Sequence, residues 1–307
     1  MLIALAIDVA IGWPKPLFAA IGHPVVWLGK LIDRLDGWLN LDGTEVHARK
    51  LAGVVAALLV ISVAAVVGLI LQVLLGDSWA GFVLLGVIAW PLVAARSMRD
   101  HVVAVARPLA KGDLAAARHA VSMIVGRDPH SLDSAGIARA TLESLAENAS
   151  DGVVAPLFWG AIFGLPGIFA YKAINTLDSM IGHRTPRHEA FGWAAARIDD
   201  LVNLVPARLT GCLFAALSPN PRAAFTLMWQ EAPRHRSPNA GWPEAAMASA
   251  LGLRLSGPRT YANHVADEPW VNGTAPDPVP ADINRALNLC RTALLVIASL
   301  LALAWVI

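Results

Sequence analysis

The chain has 307 residues, of which 56% are hydrophobic and only 15% charged, with a mean hydropathy of +0.55. An average soluble domain carries about 25% charged residues, so the composition excludes an ordinary soluble enzyme or a disordered chain and indicates an integral membrane protein. A net charge of +1 names no partner, and the two cysteines, Cys212 and Cys290, form neither a disulfide framework nor a metal-binding spacing.

Met1 to Gly12 is apolar, carries Asp8, and lacks the basic start and small-residue cleavage site of a signal peptide, so it reads as retained. The prolines of WPKPLFAAIGHPVV interrupt any continuous helix, and an amphipathic pattern resumes from Val25 to Leu35. Leu51 to Leu75 is the clearest membrane helix. A turn at Gly76-Asp77-Ser78 and the run from Trp79 make a transmembrane hairpin with it. His47, Arg49 and Lys50 flank one end, and Arg96, Arg99, Arg107 and Lys111 the other, which puts both ends in the cytoplasm and the Asp77 turn outside.

Ser97 to Arg127 reads as an amphipathic helical pair broken at Lys111-Gly112-Asp113, with Asp113 capping the second helix. Asp133 or Ser134 caps the next helix, which carries Glu143 and Glu147. Val153 to Ala173 is apolar but interrupted by Gly164-Leu165-Pro166-Gly167. With arginines on both flanks, it is expected to re-enter rather than to cross. Leu201 to Leu217 is apolar again, Ser218 to Arg291 is polar and rich in Pro and Arg, and Thr292 to Ile307 closes the chain as a short membrane helix. The expected fold is an all-α, polytopic integral membrane protein with broken or re-entrant helices and cytoplasmic helical segments. A single membrane-embedded domain covers 1–307, with membrane segments near 1–13, 51–75, 79–97, 153–173, 201–217 and 292–307 and polar segments 98–152, 174–200 and 218–291.

Ionisable residues concentrate between Thr141 and Gly211, directly against the apolar runs. Such groups are costly beside hydrocarbon and read as functional by default. Glu143, Glu147 and Asp151 are spaced i, i+4, i+8, with Asn148 beside them. They form either a solvated acidic face paired with Arg139 or a set that a metal neutralises. Asn175 and Asp178 follow one apolar run. Asp199, Asp200 and Asn203 precede another, where the two acids either cap a helix or face a ligand. Lys172, Arg184, Arg187, Arg197 and Arg208 are interleaved with these acids. Guanidinium groups match phosphate, and they are also ordinary lipid contacts. His183 is a candidate proton acceptor or a plain loop histidine, and His23 reads as structural. No P-loop, no dinucleotide fingerprint and no nucleic-acid motif is present. SPNAGWPEAAMASALG, from Ser237 to Gly252, says by itself only that a helix starts there, with Pro243 suited to its first position.

ESLAENASDGVVAPLFW, YKAINTLDSMIGHR, FGWAAARIDDLVNLVPARL and PNAGWPEAAMASALG, in that order, resemble the CobD/CbiB family, as does IGHPVVWLGKLI near the start. These are membrane cobinamide-phosphate synthases of cobalamin biosynthesis. One departure is Gly12-Trp13-Pro14, where many relatives have Gly-Asp-Pro. The resemblance implies an ATP-dependent amide ligation joining a carboxylate of adenosylcobyric acid to the amine of (R)-1-aminopropan-2-ol O-phosphate. Expected beside it are a plasma-membrane location with the active site on the cytoplasmic side, contact with membrane lipids, no nucleic-acid partner, and room for association with other enzymes of the pathway. Activation through an acyl phosphate calls for Mg²⁺, and the attacking amine must lose a proton. The expected metal ligands are Glu143, Glu147, Asp151 and Asp178. Glu147, Asp151, Asp199, Asp200 and His183 are the catalytic candidates, with Asp199 or Asp200 positioning or deprotonating the amine. Lys172, Asn148, Asn175, Arg184 and Arg197 are expected to bind substrate or phosphate. Trp159, Phe163 and Phe169 either wall a corrin pocket or are lipid-facing or helix-packing aromatics. Two competing readings are a membrane Mg²⁺-dependent phosphotransferase or prenyltransferase, and a non-enzymatic corrin-binding sensor or transporter.

Overall fold

The structure is a computed structural model that describes residues 1–306 except Asp77, Arg127, Ala262, Asn263 and Asp267. Its helices are, in chain order, α1 (Leu2–Ile11), α2 (Lys15–Ile21), α3 (Pro24–Leu39), α4 (Val46–Leu75), α5 (Trp79–Ala89), α6 (Ala95–Ala110), α7 (Leu114–Ser122), α8 (Ser134–Ala149), α9 (Ala155–Leu177), α10 (Trp193–Val202), α11 (Leu204–Ala216), α12 (Pro221–Glu231), α13 (Gly241–Leu251) and α14 (Pro280–Val306). Four short strands, β1 (Leu255–Ser256), β2 (Arg259–Tyr261), β3 (His264–Ala266) and β4 (Trp270–Val271), pair antiparallel as β1 with β4 and β2 with β3. Among the described residues four helical stretches are long and apolar enough to cross a membrane: Val46–Leu75, Trp79–Ala110, Ser134–Gly182 and Pro280–Ala304. The pair Leu2–Ile11 and Lys15–Leu39, bent by 110°, makes a fifth if counted together. The chain is thus an all-α polytopic membrane protein with broken helices. The proposed outside turn at Asp77 and the end of the helical pair at Arg127 lie outside the described residues.

Two compact units divide the chain. The first joins Met1–Ala94 to Ala155–Asn203, and the second joins Ala95–Val154 to Leu204–Ile307. In the first, α4 buries a stripe of small residues, Gly53, Ala56, Ala57, Val60, Ala64 and Gly68, at helical spacing. The stripe lets other backbone come close: a Cβ on Gly68 would lie 2.8 Å from the Leu165 carbonyl carbon. The far face, with Val55, Leu58, Val66 and Val73 exposed, is the one that meets lipid. Ile32 and Leu35 of α3, Ala173 and Leu177 of α9, Ile181, Phe191, and Ala194 and Ala195 of α10 complete this core.

The apolar run expected to be interrupted is broken at Gly164, whose φ of 66° and ψ of −145° leave the helical region. Positive φ suits glycine, and the side chain of Gln72 fills the space beside it, its Oε1 accepting the Leu165 N–H at 2.8 Å. Beyond the break the helix turns back sharply. A Cβ on Gly167 would lie 2.2 Å from the carbonyl oxygen of Trp159, eight residues earlier. In a straight helix those residues are about 12 Å apart. The run after Leu201 also divides, between α10 and α11, because Pro206 has no N–H to give the Val202 carbonyl. Trp159 Nε1 donates to that carbonyl instead, at 3.2 Å.

In the second unit, α8 and α13 are buried almost all round, and Asp113 and Asp133 cap α7 and α8 by accepting from Ala116 N and Gly136 N. The last helix begins at Pro280, well before the expected Thr292. Its first turns are amphipathic rather than uniformly apolar, with Ile283, Ala286, Cys290 and Ala293 buried on one face. Two guanidinium groups pack on Trp270, Arg254 at 4.3 Å and Arg139 at 4.6 Å from its ring centroid. Both arginines pair with Asp277. Gly257, at φ 83°, is the only residue type that fits beneath, since a Cβ there would meet the Trp270 ring at 2.6 Å.

The Arg254 hydrogen bond, followed by Arg139, holds the Asp277 carboxyl down to about 2, although its partial burial opposes this. A carboxylate depressed on folding stabilises above its unfolded pKa of about 3.9, and that contribution is lost as pH falls through about 2. Asp277→Asn is therefore expected to lower the melting temperature at neutral pH and to converge with the parent protein near pH 2. Melting curves in detergent across that range check it, and parallel curves at every pH would remove Asp277 from the account.

Candidate functional site

In the first unit, α9 ends in a wide π-helical turn, Asp178–Gly182. Such turns leave backbone groups unpaired and recur at functional sites. Leu177 and Ile181 point into the core, which leaves Asp178 at its margin, half-buried. The turn is closed by a glycine because a Cβ on Gly182 would lie 2.0 Å from Asp178 Oδ1. His183, next along, and Asp200, from α10, are the ionisable neighbours of Asp178. Burial pushes the Asp200 carboxyl above the usual carboxylate range, and Arg197 beside it, at 3.4 Å, pulls it back. The neighbouring Asp199 accepts from Asn203 Nδ2 at 3.0 Å, and Asn203 Oδ1 accepts from the buried Tyr171 hydroxyl at 3.0 Å. Lys172 Nζ reaches Asn175 Oδ1 at 3.5 Å, one turn before Asp178. Arg184 is exposed on the loop that follows His183. This unit therefore gathers two carboxylates, a histidine and a guanidinium, Asp178, Asp200, His183 and Arg197, around the junction of α9 and α10.

The helix-cap alternative for Asp199 and Asp200 is wrong. Both lie in the last turn of α10, which begins at Trp193 and runs through them, so they sit at the end where a carboxylate opposes the helix dipole. Their position has a cost that a capping role would not carry.

In the second unit, Glu147 and Asn148 are exposed on α8, and Asn148 Nδ2 donates to Ser144 O at 2.8 Å. Asp151 is half-buried in a second π-helical turn, Ser150–Val154. The expectation that Glu143, Glu147 and Asp151 form one metal-ligating face needs correction. Glu143 turns inward, and its Oε1 accepts the Ser256 N–H at 2.8 Å, bracing β1 where Ser256 holds a φ of 61°. The π turn also rotates Asp151 away from a strict four-residue repeat. Among the described residues no three His, Cys, Asp or Glu side chains stand close enough to hold a metal by themselves.

A family described as CobD/Cbib protein matches residues 1–290. The chain belongs to the CobD/Cbib family. Cobalamin biosynthesis protein CobD of Rhodobacter capsulatus is 60% identical over 308 residues, covering 99% of this chain and 97% of that protein. The protein of the same name from a Sinorhizobium species is 49% identical over 88% of this chain and 86% of its own length, and that of Brucella suis 45% over 98% and 96%. No solved structure matches. Membership gives this CobD/Cbib protein a role in cobalamin biosynthesis, as a biosynthetic enzyme.

What sequence reasoning missed in this CobD/Cbib chain is the clamp on the loop that carries His183 and Arg184. Arg187 Nε and Nη2 both donate to Asp36 Oδ2, at 2.9 and 2.7 Å. Asn40 and Arg49 each donate to the Arg187 carbonyl, and Asn40 Nδ2 also donates to Asp36 Oδ1 at 2.7 Å. The local signal was present as Asp36 and Asn40, four apart at the end of an amphipathic helix. Their partner lies 151 residues away from Asp36, and no periodicity reports that.

Proposed function

We propose that this protein catalyses the ATP- and Mg²⁺-dependent amide ligation of (R)-1-aminopropan-2-ol O-phosphate to adenosylcobyric acid, giving adenosylcobinamide phosphate. The observation that carries the reading is the gathering of Asp178, Asp200, His183 and Arg197 at an apolar boundary, in a chain that matches the family over 1–290. Mg²⁺ bound with phosphates needs only one or two protein carboxylates, so the pair fits it without a three-ligand cage. Asp178 and Asp200 would hold the ion in the first unit, and Glu147 and Asp151 are further candidates in the second. When bound, it neutralises charge on the transferring phosphoryl group.

The remaining work falls to this chain's own residues. Arg184, exposed on the loop that also carries the Arg187 clamp, and Arg197 bind phosphate. Lys172, Asn175 and Asn148 bind polar groups of the substrates. His183, beside Asp178, exchanges a proton with phosphate oxygen, and Asp199 is held in orientation by Asn203. The corrin carboxylate takes the γ-phosphoryl of ATP, ADP leaves, and the amine displaces phosphate from the acyl carbon. The basic flanks of α4 and α6 support a plasma-membrane protein with this chemistry on the cytoplasmic side.

The test is detergent-purified protein supplied with adenosylcobyric acid, ATP, Mg²⁺ and either aminopropanol phosphate or free aminopropanol, with the corrin followed by mass. A gain equal to the new amide, lost without Mg²⁺, is expected, and which amine gives it identifies the co-substrate. An unchanged corrin from folded protein refutes the ligation.

A further inference from the structure

Helix α11, in the second unit, is apolar but only 13 residues long. That is about 20 Å, too short to cross a bilayer unaided. Its inner face is buried through Pro206, Ala207, Thr210, Gly211, Phe214 and Ala215. Gly211 brings this face close to its neighbours, since a Cβ there would lie 2.8 Å from Met228 Sδ of α12 and 2.9 Å from the Trp242 carbonyl oxygen of α13. The opposite face carries Val205 at 50% and Leu209 at 45% exposure, with Cys212 half-buried and Ala216 exposed. These four recur at helical spacing and make one apolar stripe.

A neighbour in the same unit gives the depth of this helix. Thr210, Leu213 and Phe214 of α11 line an apolar cavity together with Ala293, Leu294 and Ile297 of α14. Those α14 residues belong to the apolar part of a helix long enough to cross a membrane, and Leu295 and Leu300 on it are 61% and 59% exposed. An exposed apolar face at that depth meets hydrocarbon rather than water.

Arg208 stands at the edge of the stripe. Its guanidinium carbon lies 4.4 Å from the centre of the Trp242 ring, and its Nη1 donates to the Leu204 carbonyl at 2.8 Å. Trp242 is itself fixed: it is 5% exposed, its Nε1 donates to Pro238 O at 3.1 Å, and Trp229 meets it edge-on at 4.8 Å. The guanidinium is therefore held in place by a ring and a carbonyl, and among the described residues it forms no ion pair. A cation beside hydrocarbon is costly and reads as functional by default. Its planar fork matches the oxygens of a phosphate group. Trp229, 57% exposed, is the kind of side chain that settles at the membrane–water boundary.

We propose that Arg208 and the outer face of α11 hold one anionic glycerophospholipid, with its phosphate on the guanidinium and an acyl chain along Val205, Leu209, Cys212 and Ala216. From Val205 to Ala216 the stripe runs about 16 Å, close to half the hydrocarbon thickness of about 30 Å and so to the depth one acyl chain reaches. A free phosphate would use Arg208 but leave the apolar stripe uncovered, so the stripe decides for a lipid. The headgroup is anionic because a zwitterionic lipid brings its own cation to the phosphate, whereas an anionic one leaves the negative charge to Arg208. The assignment is independent of the ligation reading.

Native mass spectrometry of the detergent-purified protein, equilibrated with equal amounts of phosphatidylglycerol and phosphatidylcholine, reads the occupant. The parent protein is expected to retain one phosphatidylglycerol with a preference of about fivefold, the size of one cationic contact at a membrane surface. Arg208→Gln should lose that preference, and Arg208→Lys, which keeps the charge without the fork, should recover part of it. Leu209→Gln, at an exposed position, should lower retention of both lipids about threefold and leave the preference intact. It serves as the test of the stripe if Arg208→Gln fails to fold. Glycerol 3-phosphate, which offers the phosphate without the chains, should not displace the lipid. A parent protein without headgroup preference, an Arg208→Gln variant that keeps it, or a Leu209→Gln variant with parental retention overturns the proposal. Displacement by glycerol 3-phosphate also overturns it, and makes Arg208 a site for a soluble phosphate ester instead.

Discussion

Asp178→Asn is expected to cut turnover about a thousandfold while the protein still inserts and folds. The side chain lies over Gly182 in the π-helical turn, with His183 and Asp200 as its ionisable neighbours. Asparagine has the same shape, so the contact with Gly182 survives and the core residues on either side, Leu177 and Ile181, are not disturbed. What is lost is a negative charge at the point where a cation and a transferring phosphoryl group are proposed to meet. A thousandfold loss corresponds to about 4 kcal/mol of transition-state stabilisation, the size reached when one preorganised electrostatic partner is removed. The corrin-mass assay measures the turnover, and melting in detergent measures the fold. A variant within about threefold of the parent protein, less than 1 kcal/mol, would take Asp178 out of the mechanism.

The second large effect is structural and strikes the same corner. Gly192→Ala should lose about 3 kcal/mol or more, near the upper end for overpacking a closed site. Gly192 has an ordinary φ of −78°, so the cost is not backbone strain. It is space: the new Cβ would lie 1.6 Å from the Ile181 carbonyl oxygen, 2.6 Å from its carbon and 3.0 Å from the His188 oxygen. These are backbone atoms, and the residues flanking them, Ile181 at 3% and Phe191 at 1% exposure, are locked in the core. Either the turn carrying Asp178 or the start of α10, the helix whose last turn carries Asp200, must move. A loss of this size should lower the melting temperature by roughly 5–10 °C and remove activity with it. Gly37→Ala is the control, since nothing lies within 4 Å of a Cβ there, and it should be neutral or mildly stabilising. If both alanine variants melt alike, the close approach at Gly192 is not a real constraint.

How much was legible depends on whether a feature is local. The apolar runs gave the spans, Asp113 and Asp133 announced their caps, and Gly164-Leu165-Pro166-Gly167 announced a break, because each signal lies within a few residues of its effect. The concentration of acids and arginines at apolar boundaries marked Asp178, Asp200, His183 and Arg197. Which acid turns inward was not legible. Glu143 and Glu147 differ only in what chain they meet, and the Ser256 N–H that claims Glu143 is 113 residues away. The π-helical turns at Asp151 and Asp178 leave no mark in hydrophobic periodicity, so the i, i+4, i+8 rule overextended there. The burial of Glu244, 2% exposed in the first turn of α13, was hidden for a similar reason. A glutamate in the first turn of a helix ordinarily faces water, and only the burial of α13 on all sides makes this one unusual.

Each of the two compact units is assembled from separated stretches of chain, Met1–Ala94 with Ala155–Asn203 and Ala95–Val154 with Leu204–Ile307. This bears on how the protein is made. Neither unit is complete when its first half leaves the ribosome. The bond from Arg49 to the Arg187 carbonyl waits for 138 further residues, which at typical synthesis speeds takes roughly ten seconds. For that time the small-residue stripe of α4 is without the neighbours that α9, Phe191 and α10 supply, and the second unit's first helices are already emerging before the first unit can close. Nascent chains halted anywhere before Asn203 therefore hold no finished half, and until that point quality control in the membrane meets two units that are both still open.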